Sequence, residues 1–405
     1  MKQQKRKGFT LVELLVVIAI LAILATVSIV GYTSFVKKAN ISADQAAVTQ
    51  INRALLAEEV TNTPTNQREL FKFLDTLNLD LDEYKPLTKD HYFYWVKDIN
   101  RVIFADSTNK VIYPTDLSGT TYKEGNWYTL SGYIPGNVAV DTIVSGTSAT
   151  IDSSDKLVSL MDAFASNNSA VNDVSQVTLN GAIDLKGASV SFGTIDTPMT
   201  IGGAEGSPAT IYGMQSNNFT SKSVAASGEL TEYGHGLLGT VKKDTTVENL
   251  VIDGAVVYSG NSGNSSQFGL IAGSVNGCTL TIRNVTIKNC YVEGLQKVAA
   301  LVGQVQSGGQ VIIDNVTIEN TTVAGIYMSA QVIGYISGGY VDYQNITVNG
   351  VTVIQLGVDE YDVKTDADNT TWVKPYNYEG SYFDGTTQKY HWLPSNPSSE
   401  SVPKN

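Results

Sequence analysis

The sequence predicts a mainly β protein with a long N-terminal α-helix, and three observations support this prediction. An apolar run continues, up to about residue 60, into a stretch with the spacing of an amphipathic helix. Two short tyrosine-rich runs then have the pattern of a β-hairpin. From about residue 140 a motif recurs every 30 to 35 residues, which is typical of stacked repeat proteins.

The composition of the 405-residue chain agrees with a β-rich protein that works outside the cytosol. Charged residues make up only 16%, and there are 36 glycines and 21 tyrosines, which is unusual for a cytosolic enzyme. The formal net charge is −12. The bulk of the surface is therefore acidic, and nucleic-acid binding is not expected.

The N-terminal segment is a short basic head followed by an apolar run. Residues 5–15 read KRKGFTLVELL, and the run extends from Phe9 to Val30 with one carboxylate, Glu13, near its start. A helix of this length spans about 33 Å, enough to cross a bilayer. A carboxylate within it costs up to about 3 kcal/mol, so Glu13 needs a cationic partner. The nearest candidate is the amine that cleavage would create at Phe9, one turn away.

This segment resembles the class III signal of type IV pilins and their pseudopilin relatives. The resemblance implies that a prepilin peptidase cuts between Gly8 and Phe9, that Phe9 is N-methylated, and that Glu13 pairs with another subunit during assembly. A single transmembrane anchor, in which Glu13 reaches the headgroups, is the alternative. Many type IV pilins carry a proline where this chain has Val30 followed by Gly31, so the helix is expected to bend less there, or to bend at Gly31.

A stalk helix and a small head are predicted next. Residues 1–8 form the predicted leader peptide, residues 9–60 the transmembrane and assembly helix, and residues 61–140 the head. The predicted elements of the head are a helix from Arg68 to Leu79, a hairpin of residues 92–96 and 101–105, and a third strand at residues 111–113. This tyrosine-rich hairpin resembles the heads of pilins from Gram-positive bacteria.

Four later segments share an asparagine flanked by aliphatic and β-branched residues, with the asparagines 35, 31 and 30 residues apart. They are VENLVI at 247–252, IRNVTI at 282–287, IDNVTI at 313–318 and YQNITV at 343–348. Alternation gives each strand an apolar inner face, which only stacked coils about 4.8 Å apart can bury. The sequence therefore predicts a right-handed parallel β-helix over residues 141–358, with the asparagines in a hydrogen-bonded ladder.

A second motif, an aliphatic residue or alanine followed by glycine, precedes each copy. Its copies are Leu238-Gly239, Ala272-Gly273, Val302-Gly303 and Ile333-Gly334. The paired motifs resemble GLUG-type repeats of bacterial surface proteins. A predicted helix from Leu157 to Ala165, ahead of a strand at residues 177–179, resembles the helix-capped start of such solenoids, whose open end must be covered.

The chain has two cysteines, Cys278 and Cys290. Cys290 takes the place of Ala255, Thr321 and Val351 in the other copies, so a small buried residue is the favoured interpretation. A disulfide between the two cysteines is the alternative.

No catalytic residue is predicted, although β-helices also occur in pectin-degrading enzymes. Gly234-His235-Gly236 is similar to a histidine motif of polygalacturonases, but those enzymes also need an aspartate cluster and a basic substrate clamp. Residues 174–341 contain no Asp-Asp pair, and no Arg-x-Lys clamp follows. A glycine-rich turn is therefore the favoured interpretation of His235.

No metal and no cofactor are predicted. His91 and His391 lie among aromatic residues and have no partner at the spacing of metal ligands. The acidic run from Asp359 to Asp368 lacks the glycine of the usual calcium loop, so a solvated loop is favoured and calcium binding is the alternative.

Residues 359–405 break the repeat and are predicted to form an aromatic-rich cap and a flexible tail. Aromatic faces stack on sugar rings and bring a large contact area at low entropic cost. The candidate ligand-binding residues are Trp372, Tyr376, Tyr378, Tyr382 and Trp392. A hydrophobic cap over the last coil explains the same residues, and the two roles can be divided among them.

These features predict a type IV pilin-like subunit, specifically a minor or tip pilin that displays a β-helix adhesion module. A solenoid of this bulk is hard to place in every subunit of a thin fibre. Expected partners are other pilin subunits, the prepilin peptidase, the cytoplasmic membrane before assembly, and a glycan or host-surface ligand. The expected location is the membrane first, as a single-pass protein, and then the extracellular pilus.

Two alternatives remain open. The first alternative is a major structural pilin or a type II secretion pseudopilin, in which the β-helix is a passive spacer. The second alternative is a surface-tethered polysaccharide lyase or hydrolase.

Overall fold

The computed structural model describes residues 35–57, 63–76, 85–130, 137–216, 234–258, 267–306 and 308–356, and the backbone of residues 381–384, 389–392 and 400–401. The predicted leader and apolar run lie outside these residues. Among the described residues, no helix combines the length and the apolar character needed to cross a membrane.

The described residues contain three α-helices: α1 at residues 35–57, α2 at Gln67–Thr76 and α3 at Ser154–Ala165. The predicted amphipathic spacing of the stalk is present in α1. Its residues Val48, Ile51 and Leu55 lie three or four positions apart, and all are buried in the core of the head.

Helix α2 begins one residue before its predicted start because two side chains satisfy the first turn. The side chain of Asn66 accepts a hydrogen bond from the Glu69 backbone N–H at 3.0 Å. The Glu69 carboxylate in turn accepts one from the Thr65 N–H at 2.7 Å. This reciprocal pairing has the logic of a capping box. The predicted end at Leu79 lies outside the described residues.

The head contains an antiparallel sheet in the order β3-β2-β1-β4. Its strands are β1 (His91–Val96), β2 (Arg101–Asp106), β3 (Val111–Tyr113) and β4 (Trp127–Thr129). The predicted hairpin and third strand are confirmed, and the turn closes through Asn100 in the left-handed conformation. Strand β4 was not predicted, because three residues after a long loop give no periodic signal.

The remaining strands follow one another around a solenoid of about six turns. The strands before the repeats are β5 (Val144–Ser145), β6 (Ser148–Ile151), β7 (Gln176–Leu179), β8 (Ala182–Asp184), β9 (Met199–Gly203), β10 (Ala209–Tyr212) and β11 (Gln215–Ser216). Those of the repeats are β12 (Gly234–His235), β13 (Leu238–Val241), β14 (Thr245–Asp253), β15 (Val256–Tyr258), β16 (Gln267–Gly269), β17 (Ala272–Val275), β18 (Thr279–Lys288), β19 (Tyr291–Ala299), β20 (Val302–Val305), β21 (Gln310–Glu319), β22 (Thr322–Ala330), β23 (Ile333–Ile336), β24 (Tyr340–Asn349) and β25 (Thr352–Gln355). The last are β26 (Ser381–Asp384), β27 (Lys389–Trp392) and β28 (Glu400–Ser401).

The repeats stack in parallel and form three walls of the β-helix. The first wall contains the long strands in the order β24-β21-β18-β14, the second contains β15, β19, β22 and β25, and the third contains β13, β17, β20 and β23. Equivalent residues of the four copies are aligned, as in Leu250, Val285, Val316 and Ile346. All four are at most 3% exposed, so the predicted apolar inner face is confirmed.

The predicted asparagine ladder is present, with one difference at its end. Asn284 donates its side-chain amide to Asn249 at 3.1 Å, and Asn315 donates to Asn284 at 2.8 Å. Asn345 reaches Asp314 instead, at 3.4 Å. All four asparagines have φ between 50° and 54°, the left-handed region where asparagine is favoured over most other residues. Each one lies inside one of the long strands β14, β18, β21 and β24.

Substitution of Asn284 separates the two roles of the ladder. Asn284→Gly keeps the left-handed backbone but removes two side-chain hydrogen bonds, so we expect a loss of about 1 kcal/mol in the free energy of unfolding. Asn284→Ala adds the left-handed strain and should lose about 1 kcal/mol more. Urea unfolding of the full-length protein in detergent measures both. Equal losses would show that the backbone conformation carries no penalty.

The glycines of the second motif lie where neighbouring strands approach closely. A Cβ on Gly303 would be 2.5 Å from the backbone nitrogen of Phe268 and 2.7 Å from the carbonyl oxygens of Gly273 and Lys297. On Gly334 it would be 2.7 Å from the Gly303 carbonyl oxygen. Close backbone packing therefore explains these motif glycines.

Both ends of the β-helix carry additional elements. Near the first coils, Leu157, Leu160 and Met161 of α3 are buried in the solenoid core, in agreement with the predicted covering helix. At the other end, β26 pairs with β23 and β28 pairs with β24. Cys278 and Cys290 are both free and buried, so the structure has the favoured arrangement and not the disulfide.

Candidate functional site

The outer surface of the first wall is a broad, regular array of polar side chains, here called the ladder face. It consists of the outward-facing residues of β14, β18, β21 and β24. Its columns are Glu248, Arg283, Asp314 and Gln344; Val251, Thr286, Thr317 and Thr347; and Asp253, Lys288, Glu319 and Asn349. None of these side chains is fully buried.

Both cations of the ladder face form ion pairs with carboxylates of the preceding coil. Arg283 lies 2.5 Å from Glu248, and Lys288 lies 3.4 Å from Asp253. Such partly exposed pairs contribute little to stability. They leave the threonine column between them as an uncharged, hydroxyl-bearing strip that is held by a rigid stack.

The candidate ligand-binding aromatics fall largely outside the described structure. Trp372, Tyr376 and Tyr378 are not among the described residues. The backbone places Tyr382 in β26 and Trp392 in β27, in an antiparallel hairpin where Tyr382 pairs with His391 and Ser381 with Trp392. The acidic run from residue 359 to residue 368 also lies outside the described part.

His235 lies in a strand and not in the predicted glycine-rich turn. It belongs to β12, where it pairs with Phe268 of β16. The side chain is 3% exposed, and its ring stacks on that of Phe268 with centroids 4.6 Å apart and planes 6° apart. Burial lowers the pKa of His235 to about 3. The imidazole is therefore neutral at physiological pH and is packed between coils.

His91, the second histidine with described side-chain contacts, lies at the start of β1 in the head. His91 contacts the Lys89 carbonyl oxygen at 2.7 Å and stacks on Phe104. Within the described ranges, no group of three or more histidine, cysteine or carboxylate side chains is placed to hold a metal ion.

The head and the β-helix share a polar contact that the sequence did not predict, here called the junction. It brings residues of α2 and residues 122–129 against residues 184–187, 212–213, 254–258 and 291–293 of the β-helix. At its centre, Arg68 and Lys72 contact Glu293 at 3.0 and 3.1 Å. The one available signal was that these two cations lie one turn apart on an otherwise amphipathic helix.

The ionisation of the junction depends on its surroundings. Burial alone would raise the pKa of Glu293, but the charge and hydrogen bond of Arg68, together with Lys72, lower it to about 2. This carboxylate therefore stabilises the fold above its ordinary pKa of 4.5, and the contribution is lost as the pH falls towards 2. The pKa of Asp184 shifts in the opposite direction, because burial raises it. The contribution of Asp184 to the stability of the fold is therefore lost as the pH rises through this raised pKa.

Comparison with known protein families gives a match at the N-terminus. Residues 3–29 match the family model of the prokaryotic N-terminal methylation motif, and this range contains Gly8, Phe9 and Glu13, which lie outside the described structure. No curated protein and no solved structure matches the chain.

The methylation motif and the solenoid together indicate a class of protein. The motif supports a type IV pilin-like or pseudopilin-like subunit, and the structure adds a β-helix domain to it. The motif implies processing by a prepilin peptidase, assembly with other pilin subunits, and a membrane-anchored precursor that precedes a surface pilus.

Proposed function

We propose that this subunit is a minor or tip pilin that displays its β-helix as an adhesion module on a surface fibre. The observation that carries the proposal is the ladder face, a wide polar surface whose two cations, Arg283 and Lys288, are already paired with carboxylates. A surface of this kind is suited to an extended, largely uncharged polymer such as a glycan, which meets hydroxyl and amide groups at the regular spacing of the coils.

Rigidity favours such binding. The strands that hold the ladder face are aligned over four coils and rest on a buried aliphatic core. A preformed surface binds an extended ligand without the entropic cost of ordering itself. Several copies that act together on a fibre or a cell would add avidity.

The proposal includes no hydrolytic or lyase chemistry. A general acid or base must reach its substrate and titrate near the working pH. His235 does neither, because it is buried against Phe268 and its pKa is lowered to about 3. Its conservative variant His235→Phe retains the ring stacking. We expect this variant to bind as the wild type does, and polysaccharide cleavage that the variant loses would overturn the proposal.

The adhesion test compares matched lysine substitutions on two walls. Thr317→Lys adds a long charged side chain at the centre of the threonine column, between Thr286 and Thr347, and should weaken binding at least tenfold. Thr352→Lys makes the same change at an exposed position on the second wall and should have little effect. Glycan and matrix-protein arrays probed with purified fibres measure both.

Other results of this test point to different surfaces. Equal binding by both lysine variants excludes the ladder face. Loss of binding in Trp372→Ala or Trp392→Ala, without a change in thermal stability, would assign the contact to the C-terminal aromatics. A loss of thermal stability in those variants would indicate a cap.

The rival function is a major structural pilin or a secretion pseudopilin with the β-helix as a spacer. It is distinguished by stoichiometry, because a minor or tip subunit is present in few copies per fibre. Quantitative mass spectrometry of sheared fibres measures this ratio. A ratio near one copy per fibre subunit would favour the rival.

A further inference from the structure

Helix α2 lies between the head and the β-helix and contacts each with a different side. Leu70 and Leu74, one turn apart, are buried in the core of the head. Arg68 and Lys72, also one turn apart, both reach the carboxylate of Glu293 on β19. The helix is therefore shared by the two bodies.

Glu293 is a buried anchor for this contact. Its side chain is 2% exposed, and the Tyr291 hydroxyl donates to its second oxygen at 2.7 Å. The guanidinium of Arg68 also lies 4.3 Å from the ring centre of Tyr258. In the neighbouring coils the positions equivalent to Glu293 are Tyr258 and Ala324, which carry no carboxylate. The carboxylate is therefore present only in that one of these three coils which the α2 cations contact. Without them a charge would be left buried, which is strongly unfavourable.

A second contact lies on the other side of a corner of the β-helix. Asp184 accepts hydrogen bonds from the Tyr122 hydroxyl and, at 3.1 Å, from the Gly125 backbone N–H. The backbone N–H of Thr129, in β4, donates to the Lys186 carbonyl oxygen at 3.0 Å. The edge of the head sheet is thus joined by its main chain to the solenoid.

The corner between the two contacts is shaped to receive the head. Tyr128 lies over it, and a Cβ on Gly254 would be 2.6 Å from the Tyr128 hydroxyl oxygen. A Cβ on Gly213 would be 3.3 Å from the same ring. The next two coils have Asn289 and Asn320 at this left-handed corner. Glycine therefore occupies the two coils that the Tyr128 ring covers.

We propose that the junction is a rigid coupling that makes the head and the β-helix one cooperative body, with a fixed direction between the stalk helix and the ladder face. The two contacts hold the head to adjacent walls of the β-helix, on both sides of one corner. They therefore resist rotation of the head relative to the β-helix as well as separation of the two. In a fibre, tension on the β-helix would pass into the stalk through α2, and this consequence rests on the proposed function. The coupling itself does not depend on any ligand.

The test compares the unfolding of the two bodies in the full-length protein in detergent. The chain has four tryptophans, and in a Trp372→Phe, Trp392→Phe background the remaining Trp95 and Trp127 report on the head. Circular dichroism reports mainly on the β-helix. We expect the two thermal midpoints to coincide. In Glu293→Gln combined with Tyr122→Phe, they should separate by roughly 5 °C or more.

The matched control removes another carboxylate that pairs with an arginine on a solenoid strand. Glu248→Gln breaks the pair with Arg283 on the ladder face, away from the junction, and should leave the two midpoints coincident. Separate midpoints in the parent protein would overturn the proposal. Coincident and unshifted midpoints in the junction variant would overturn it as well.

A second measurement tests the coupling without the junction variant, in case that variant folds poorly. Spin labels at Asp98→Cys and Gln344→Cys, both exposed positions, report the distance between head and ladder face, while the native cysteines are buried. A narrow distance distribution in the otherwise unchanged chain supports the coupling, and a broad one refutes it. Failed adhesion with a narrow distribution would count against the proposed function alone.

Discussion

Replacing Glu13 with valine should abolish incorporation into fibres and leave membrane insertion intact. The change makes the apolar run more apolar, so the helix should insert at least as well. In the low dielectric of a helix bundle, however, the carboxylate is the natural partner for the new amine of an incoming subunit. Without the carboxylate, the amine would remain buried and unpaired. No polar contact would then fix the register between neighbouring helices that are otherwise apolar.

Immunoblots of sheared fibres and of membranes measure the two quantities separately. Glu13→Gln keeps the shape and removes the charge, so it should fail in the same way if the charge matters. Mass spectrometry provides the control for processing: the mature protein should begin at a methylated Phe9, with the first eight residues absent. Normal amounts of Glu13→Val in purified fibres would show that the carboxylate is dispensable.

The β-helix was predictable because its determinants are local and repeated. Each strand carries its own alternation, so Val285 and Ile287 point inward and Thr286 outward whatever the neighbouring coil is. Repetition then fixes the register, since every copy presents the same pattern to the next. The same logic placed Asn249, Asn284 and Asn315 in one ladder.

The junction was not predictable because it joins groups that are far apart in sequence. Arg68 and Glu293 are separated by 225 positions, and neither stands out in its own segment. The place of Glu293 among Tyr258 and Ala324 in one column becomes informative only when α2 is known to cover it.

His235 shows that a local signal can also mislead. Its flanking glycines indicate a turn, whereas in the structure they allow close packing of a short strand. A Cβ on Gly236 would lie 2.1 Å from the Gly269 carbonyl oxygen.

Replacing Gly303 with alanine should destabilise the β-helix by about 3 kcal/mol, at the upper end of the usual range for overpacking. The added methyl group would meet the backbone of Phe268, Gly273 and Lys297, all nearer than 3 Å. Backbone atoms held in two neighbouring strands cannot rotate away as a flexible side chain can. The coils must therefore separate locally, which weakens hydrogen bonds along the third wall.

Gly277→Ala is the matched control, because it isolates conformation from space. Gly277 has a φ of +66°, and a Cβ added there would have no neighbouring atom within 4 Å, so the substitution should cost only about 1 kcal/mol of left-handed strain. Urea unfolding followed by circular dichroism compares the two variants. Limited proteolysis should then cut Gly303→Ala first within the repeats, since local separation exposes their strands. If Gly303→Ala is no less stable than Gly277→Ala, close packing is not the reason for the motif glycine.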